Sequence, residues 1–403
     1  MPSINSDHDS QAAEKTALLL VAIALNMLEL FIPRIPLFPW LKPGIANVVT
    51  IVWIIRYGTV DALLFSLLRV WIAGFYAGFS FLTLSLALSG GVISTLAMGI
   101  VWKIAGKRGM IGTIGLGIIG AFMHNTGQLA AVFLLVAHNF HLLYQMPLMI
   151  LASILFGGIV GALAPFFLSL GGDLQENRVP SAAAAQQTPS SPPSTAGPAT
   201  KRAGSRFAVR STVAALILAG CCCIAFVDDL AILISAGILA TVLSQIAVGG
   251  SGKALWNPLR RFWPLFFFIG VLDLFFSYGQ SLGGLPFVTR EGLESALVQW
   301  LRLWTWLQLS SVFTRLRFHE SVIAVLRFLF AAHRSTLYAG MLAWQRLPEA
   351  LETIGKGPGT GWSDAVRRPG NFVREYMRRS YGLAGEVVKE WQADIARTSQ
   401  ERP

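Results

Sequence analysis

Charge is what this sequence has least of. Only 13% of its 403 residues are Asp, Glu, Lys or Arg, against roughly 25% in an average soluble protein. That shortage excludes a lone soluble domain, a disordered chain and a nucleic-acid module with a basic polar surface. Cysteine is equally scarce. The three that occur, Cys221, Cys222 and Cys223, are consecutive, so on a helix they point in different directions and make neither a disulfide framework nor a zinc site. No GxxxxGK[ST] phosphate loop exists; GGSGKA at 249–254 lacks both the spacing and the hydroxyl residue. Asp228-Asp229 lacks the third aspartate with which a prenyl synthase holds diphosphate through magnesium, and His124, His138 and His141 have no metal-ligand spacing with carboxylates. With no catalytic set, the chain is not expected to be an enzyme, nor to need a metal or cofactor. No cleavable signal peptide is expected either, because the apolar run 17–32 ends at Pro33 without a small-residue cleavage pattern.

What fills the sequence instead is apolar: 54% of residues, with a mean hydropathy of +0.58. Apolar runs near 17–25 residues mark membrane helices. Six lie in the first half, at 17–32, 45–56, 60–78, 81–104, 111–137 and 147–171; the second is too short to span unless it extends through Tyr57 or tilts. Residues 177–206 are rich in Pro, Ala, Ser and Thr and read as a disordered linker. Runs resume at 212–227, 230–248, 262–277 and 295–313. Residues 318–354 then mix Arg, His and Glu with apolar residues at helical spacing, Leu337, Met341, Trp344 and Leu351 among them, as amphipathic helices do. The expected fold is all-α and polytopic, a six-helix bundle followed by about four spans. The expected divisions are 1–176, the linker 177–206, a membrane and coupling region 207–354, and a tail 355–403 with a Gly/Pro-rich turn and a charged helix over 371–398.

The net charge of +11 falls as +2 on residues 1–180 and +9 on 181–403. In a membrane protein that is the positive-inside rule rather than a nucleic-acid surface. Placing Lys103, Lys107 and Arg108 in the cytoplasm with Lys253, Arg260 and Arg261 puts both termini and the linker on the cytoplasmic side of the cell's inner (cytoplasmic) membrane, and puts Asp228, Asp229 and the His138–His141 loop outside. Arg34 and Lys42 are exceptions in the first outer loop, which Pro33, Pro36, Pro39 and Pro43 stiffen. With Trp40, that loop suits a lid over an anionic ligand; a stiff connection accounts for it equally.

Polar groups within apolar runs need partners or a cavity. Arg69 lies mid-run and Glu29 near the outer end of the first run; they either pair with each other or line a polar pocket. His124 and Gln128 stand four residues apart on one helical face, with Asn125 beside them, as interhelical glue or as pocket walls. The surrounding glycines, Gly112, Gly115, Gly117, Gly120 and Gly127, allow a helix or ligand to approach closely, and Gly157 and Gly161 form a GxxxG packing face.

The strings LELFIPRIPLFPWLKPGIANVV, LSLALSGGVIS and GAFMHNTGQLAAV give residues 15–172 a resemblance to the Gx transporter family, also labelled heptaprenyl diphosphate synthase component I. Its members look like substrate-binding S components of energy-coupling-factor importers. The resemblance implies a substrate site at Glu29, Lys42, Asn47, Arg69, His124, Asn125 and Gln128. It also implies an AxxxA contact face toward a T component, which Ala13 and Ala17 fit. The second half resembles that T component more loosely, through HESVIAVLRFLF and LAWQRLPEALETI. The Ala-Arg-Gly motifs that dock T components on their ATPases are missing, and Arg346 in WQRLPEA is the closest basic position. Arg327, Arg334 and Arg346 are accordingly the candidate coupling residues. The implied function is the membrane part of a small-molecule transporter served by separate ABC-type ATPases. The alternatives are a non-catalytic subunit beside a prenyl or quinone pathway enzyme, or an ATPase-independent carrier.

Overall fold

The structure is a computed structural model. It describes residues 5–29, 44–77, 80–137, 140–176, 212–248 except 214, 253–282 except 277 and 278, 285–315, 319–353 except 331, and Asn371, Glu375 and Arg379. The linker 177–206, the proline-rich stretch 30–43 with Lys42, His138, and most of the tail lie outside the described residues.

The fold is all-α and of the membrane type. Helix α1 (Asn5–Glu29), the short α2 (Asn47–Tyr57) and α3 (Thr59–Ala77) make the centre of the first half. Leu18 to Leu25 and Val48 to Ile54 are continuously buried, because these runs are apolar on every side and need neighbours all round. At eleven residues α2 is about 16 Å long and does not cross a bilayer by itself. It ends at Gly58, whose φ of 88° is a left-handed conformation only glycine takes without strain, and the chain turns straight into α3.

Helices α4 (Phe81–Ile104), α5 (Thr113–Val132) and α6 (Met146–Glu176) pack around this centre. Their outer faces are apolar and open: Ile100, Ile154, Leu155 and Ile159 are all exposed. A surface of that kind is matched to lipid tails rather than water. Four helical stretches among the described residues are long and apolar enough to cross a membrane: Phe81–Arg108, Thr113–Leu135, Leu143–Ser169 and Leu230–Ala247. The glycines of α5 and α6 let the two backbones touch. A Cβ on Gly117 would lie 2.2 Å from the Gly157 carbonyl oxygen, and one on Gly161 would lie 2.4 Å from that of Thr113. Gly157 and Gly161 therefore do form the packing face their spacing predicts.

The second half begins with α7 (Ala215–Ile224) and α8 (Leu230–Val248), then α9 (Lys253–Phe276) and α10 (Arg290–Arg315). A small hairpin, β1 (Ser281–Leu282) with β2 (Leu285–Thr289), joins α9 to α10 and pairs Ser281 with Thr289. It is a departure from purely helical expectation that the Gly283-Gly284 pair signals in the sequence. Helix α10 is the centre of this half rather than a lipid-facing span. Leu303, Thr305, Trp306, Gln308 and Phe313 on it are all buried, and its tryptophans hydrogen-bond inward, Trp304 Nε1 to Thr241 Oγ1 at 3.0 Å and Trp306 Nε1 to the Cys221 carbonyl at 2.9 Å. Of the three cysteines, Cys221 is buried and Cys222 and Cys223 are exposed, all free. Asp229 starts α8, its carboxylate accepting from Ile232 N at 3.0 Å as an N-cap does.

The halves share a core. Helices α11 (His319–Leu329) and α12 (Arg334–Thr353) turn back to the first half, and α12 lies along α1 and α3. Leu337, Ala343 and Leu347 join the cluster built by α1, α2 and α3, and Trp344 meets Phe75 edge-on with ring centroids 5.4 Å apart. A second junction has Ser310 Oγ accepting from Phe81 N at 2.8 Å, with Phe81 packed on Trp306. The apolar face of α12 is thus occupied within the chain.

Candidate functional site

The residues at the start of α2 assemble the site. Gly44 takes φ +67°, and the turn behind it is held by Glu29, whose Oε1 accepts from Ala46 N at 3.1 Å. This places Asn47 at the head of α2, where its Oδ1 accepts from Arg69 Nη2 at 3.1 Å. Arg69 is only 4% exposed, with its guanidinium 5.9 Å from the Phe65 ring centre. Its Nε and Nη1 have no hydrogen-bond partner among the described residues. The Glu29 carboxylate attracts this charge electrostatically. A buried guanidinium left with unused donors is costly and is suited to an acceptor brought by a ligand.

Asn47 also lines a narrow cavity together with His124 and Asn125. The rest of its wall is apolar or bare, with Ile51, Met98 and Phe156 beside Gly117 and Gly120. Gln128 Nε2 donates to His124 Nε2 at 3.0 Å, so the four-residue spacing on α5 does bring the two together. Asn125 Nδ2 donates to Ser153 Oγ at 3.0 Å, and the Ser153 hydroxyl donates in turn to the Met149 carbonyl at 2.6 Å. The imidazole fits because Gly90 faces it; a Cβ there would come within 2.8 Å of His124 Cε1. Of the seven expected site residues, Asn47, His124 and Asn125 line the cavity; Arg69 and Gln128 bond to Asn47 and His124, and Glu29 holds the turn before Asn47. Lys42 lies outside the described residues.

The expected coupling residues divide. Ala17 is buried on α1, the helix on which α12 packs; Ala13 belongs to the same helix, but its side chain lies outside the described residues. Arg327 is exposed on α11, with Nη2 at 2.8 Å from Met341 Sδ. Arg334 and Arg346 sit on α12, and their side chains are not among those described. Sequence reasoning missed the polar cluster that joins α12 to the first half. Lys15, 2% exposed, donates to Asp61 Oδ2 at 3.2 Å, Ser335 Oγ at 2.9 Å and Thr336 Oγ1 at 3.0 Å. Thr336 Oγ1 donates to Asp61 Oδ1 at 2.6 Å, and His333 Nδ1 lies 3.0 Å from the same oxygen. Beside it, Arg56 pairs with Glu14 and donates to the Leu168 carbonyl. These partners are up to 321 residues apart in the chain, and no local spacing announces them.

The geometry of α1 to α6 can now be set beside known families. Residues 18–167 match heptaprenyl diphosphate synthase component I. The matched stretch runs from within α1 to within α6 and includes the cavity, Arg69 and Asp61. Its description names one component of a synthase. Helices α7 to α12 lie beyond the match. No curated protein and no solved structure matches the chain.

Proposed function

We propose that the chain is the membrane subunit of an energy-coupling-factor-type transporter, the component I region binding a small molecule and the second half acting as its scaffold. The observation that carries this reading is the layout of α3. It bears Arg69 beside the cavity and, about two turns away, Asp61 in the cluster that holds α12. One rigid helix thus connects a candidate ligand site to the contact with the second half. The proposed topology has ten membrane passes with both termini in the cytoplasm of a cytoplasmic-membrane protein. Exposure of Lys103, Lys107, Arg108 and Arg260 at helix ends suits basic loops on that side. The ligand would reach the cavity from outside, under the Pro-rich loop, and Arg69 with Lys42 favours an anionic group. The linker 177–206 would tether the two units. Arg327, Arg334 and Arg346 would face a pair of ABC-type ATPases from the cytoplasm, since the apolar face of α12 is already covered.

A second reading is favoured by the family description itself: a membrane subunit that anchors or feeds a prenyl diphosphate enzyme. A third is a carrier that works without ATPases. A pull-down of the full chain from native membranes separates them. Recovery of ATPase subunits supports the transporter reading, recovery of a prenyl synthase replaces it with the second, and recovery of neither promotes the carrier.

A further inference from the structure

The second half holds a buried carboxylate that the proposed transport cavity does not use. Asp273, on α9, is 4% exposed, and Gln299, facing it from α10, is 3% exposed. Ser295 and Gln299 of α10 are its polar neighbours, and Gln299 Nε2 donates to Ser295 Oγ at 3.3 Å. Two oxygens are left without a donor among the described residues, Asp273 Oδ2 and Gln299 Oε1. Buried acceptors in that state are expensive. One proton on Asp273 Oδ2 supplies the missing donor and removes the buried charge at the same time.

Among the described residues no basic side chain is recorded against it. Helix α9 packs against α10, α8 and β2. Neither α8 nor β2 contains a titratable residue. On α10, Arg290 and Glu294 form an exposed pair and Glu291 accepts from Gln280 N. Arg302, one turn beyond Gln299, is committed elsewhere: its Nε and Nη2 donate to the Val227 carbonyl at 3.1 and 2.8 Å, and it pairs with Asp228. The remaining charges of α9, Lys253, Arg260 and Arg261, stand three or more turns away along it. A hard divalent cation would want six or more oxygens, more than Asp273, Ser295 and Gln299 offer.

We propose that Asp273 and Gln299 form a reversible proton-binding site inside the second half, reached from solvent past Arg302 and Asp228. Gln299 and Arg302 follow each other on one face of α10, and Asp228, at the far end of that sequence, is 85% exposed in its side chain. An ionisable group at such a place in a membrane bundle is a candidate for coupling to an ion gradient. The inference does not depend on what the first-half cavity holds.

Infrared spectroscopy of the purified full chain tests it. The difference between the native protein and Asp273→Asn should contain the carbonyl stretch of a protonated carboxyl. That band should fade reversibly as pH rises and should shift in deuterated buffer. Gln299→Leu, which keeps the acid but removes its neighbour, should move the band without abolishing it. Three results would overturn the proposal. They are a native protein with no such band, a band insensitive to both pH and deuterium, and a band that sodium ions remove at constant pH.

Discussion

Arg69 Nη2 donates to Asn47 Oδ1 at 3.1 Å, tying the middle of α3 to the first residue of α2 at the wall of the cavity. Asn47 is thereby both a cavity wall and the only described hydrogen-bond partner of a buried guanidinium. Substituting either residue disturbs the other. Loss of a hydrogen bond to a charged group costs about 1.5–3 kcal/mol, which is roughly tenfold to a hundredfold in affinity. Arg69→Ala should therefore abolish measurable ligand binding in a protein that still folds, and Asn47→Ala should weaken it by at least about tenfold. The double variant should bind no worse than Arg69→Ala alone, measured by ligand titration of the detergent-purified chain.

Gly117 and Gly158 make a matched pair. A side chain on Gly117 meets the Gly157 carbonyl and the Gly161 backbone, whereas one on Gly158 meets nothing within 4 Å. Gly117→Val should lower stability by about 1–3 kcal/mol through forced separation of α5 and α6. Gly158→Ala should leave it unchanged. Thermal unfolding in one detergent compares them directly.

Asp61 should hold the halves together. It faces Lys15, His333 and Thr336, and removing it leaves Lys15 buried without its counter-ion. Breaking a buried pair from one side costs about 3–5 kcal/mol. Protease cleavage in 177–206 should leave the native halves associated on size exclusion. The same cut in Asp61→Ala should release them.

A composition half as charged as usual was enough to read the membrane class, and the α-helical architecture followed from run lengths. The polar string on α5 was legible because His124 and Gln128 stand one helical turn apart and meet each other. The GxxxG of α6 was legible for the same reason. What could not be read was long-range: Lys15 against Ser335, or Asp273 against Gln299, unite helices that only the tertiary fold brings together. The run 295–313 carries polar residues among its apolar ones, and Gln299, Arg302, Thr305 and Gln308 are all buried, as in a helix enclosed by its bundle.

Arg346 offers a test of the cytoplasmic partner. On the transporter reading Arg346→Glu reverses a charge on α12 that faces ATPase carboxylates, whereas Arg378→Glu alters the terminal tail. Arg346→Glu should reduce ATPase recovery in a pull-down by about tenfold, as loss of one charge-assisted contact would, and Arg378→Glu should change it little. Equal recovery with both variants would remove Arg346 from the interface.

Native mass spectrometry of the purified full chain tests most directly whether the component I region is a binding unit. The account predicts one small molecule retained per chain by the native protein and lost in Arg69→Ala, with both proteins showing the same thermal unfolding. A native protein that carries no small molecule, or an Arg69→Ala variant that keeps it, would contradict the account.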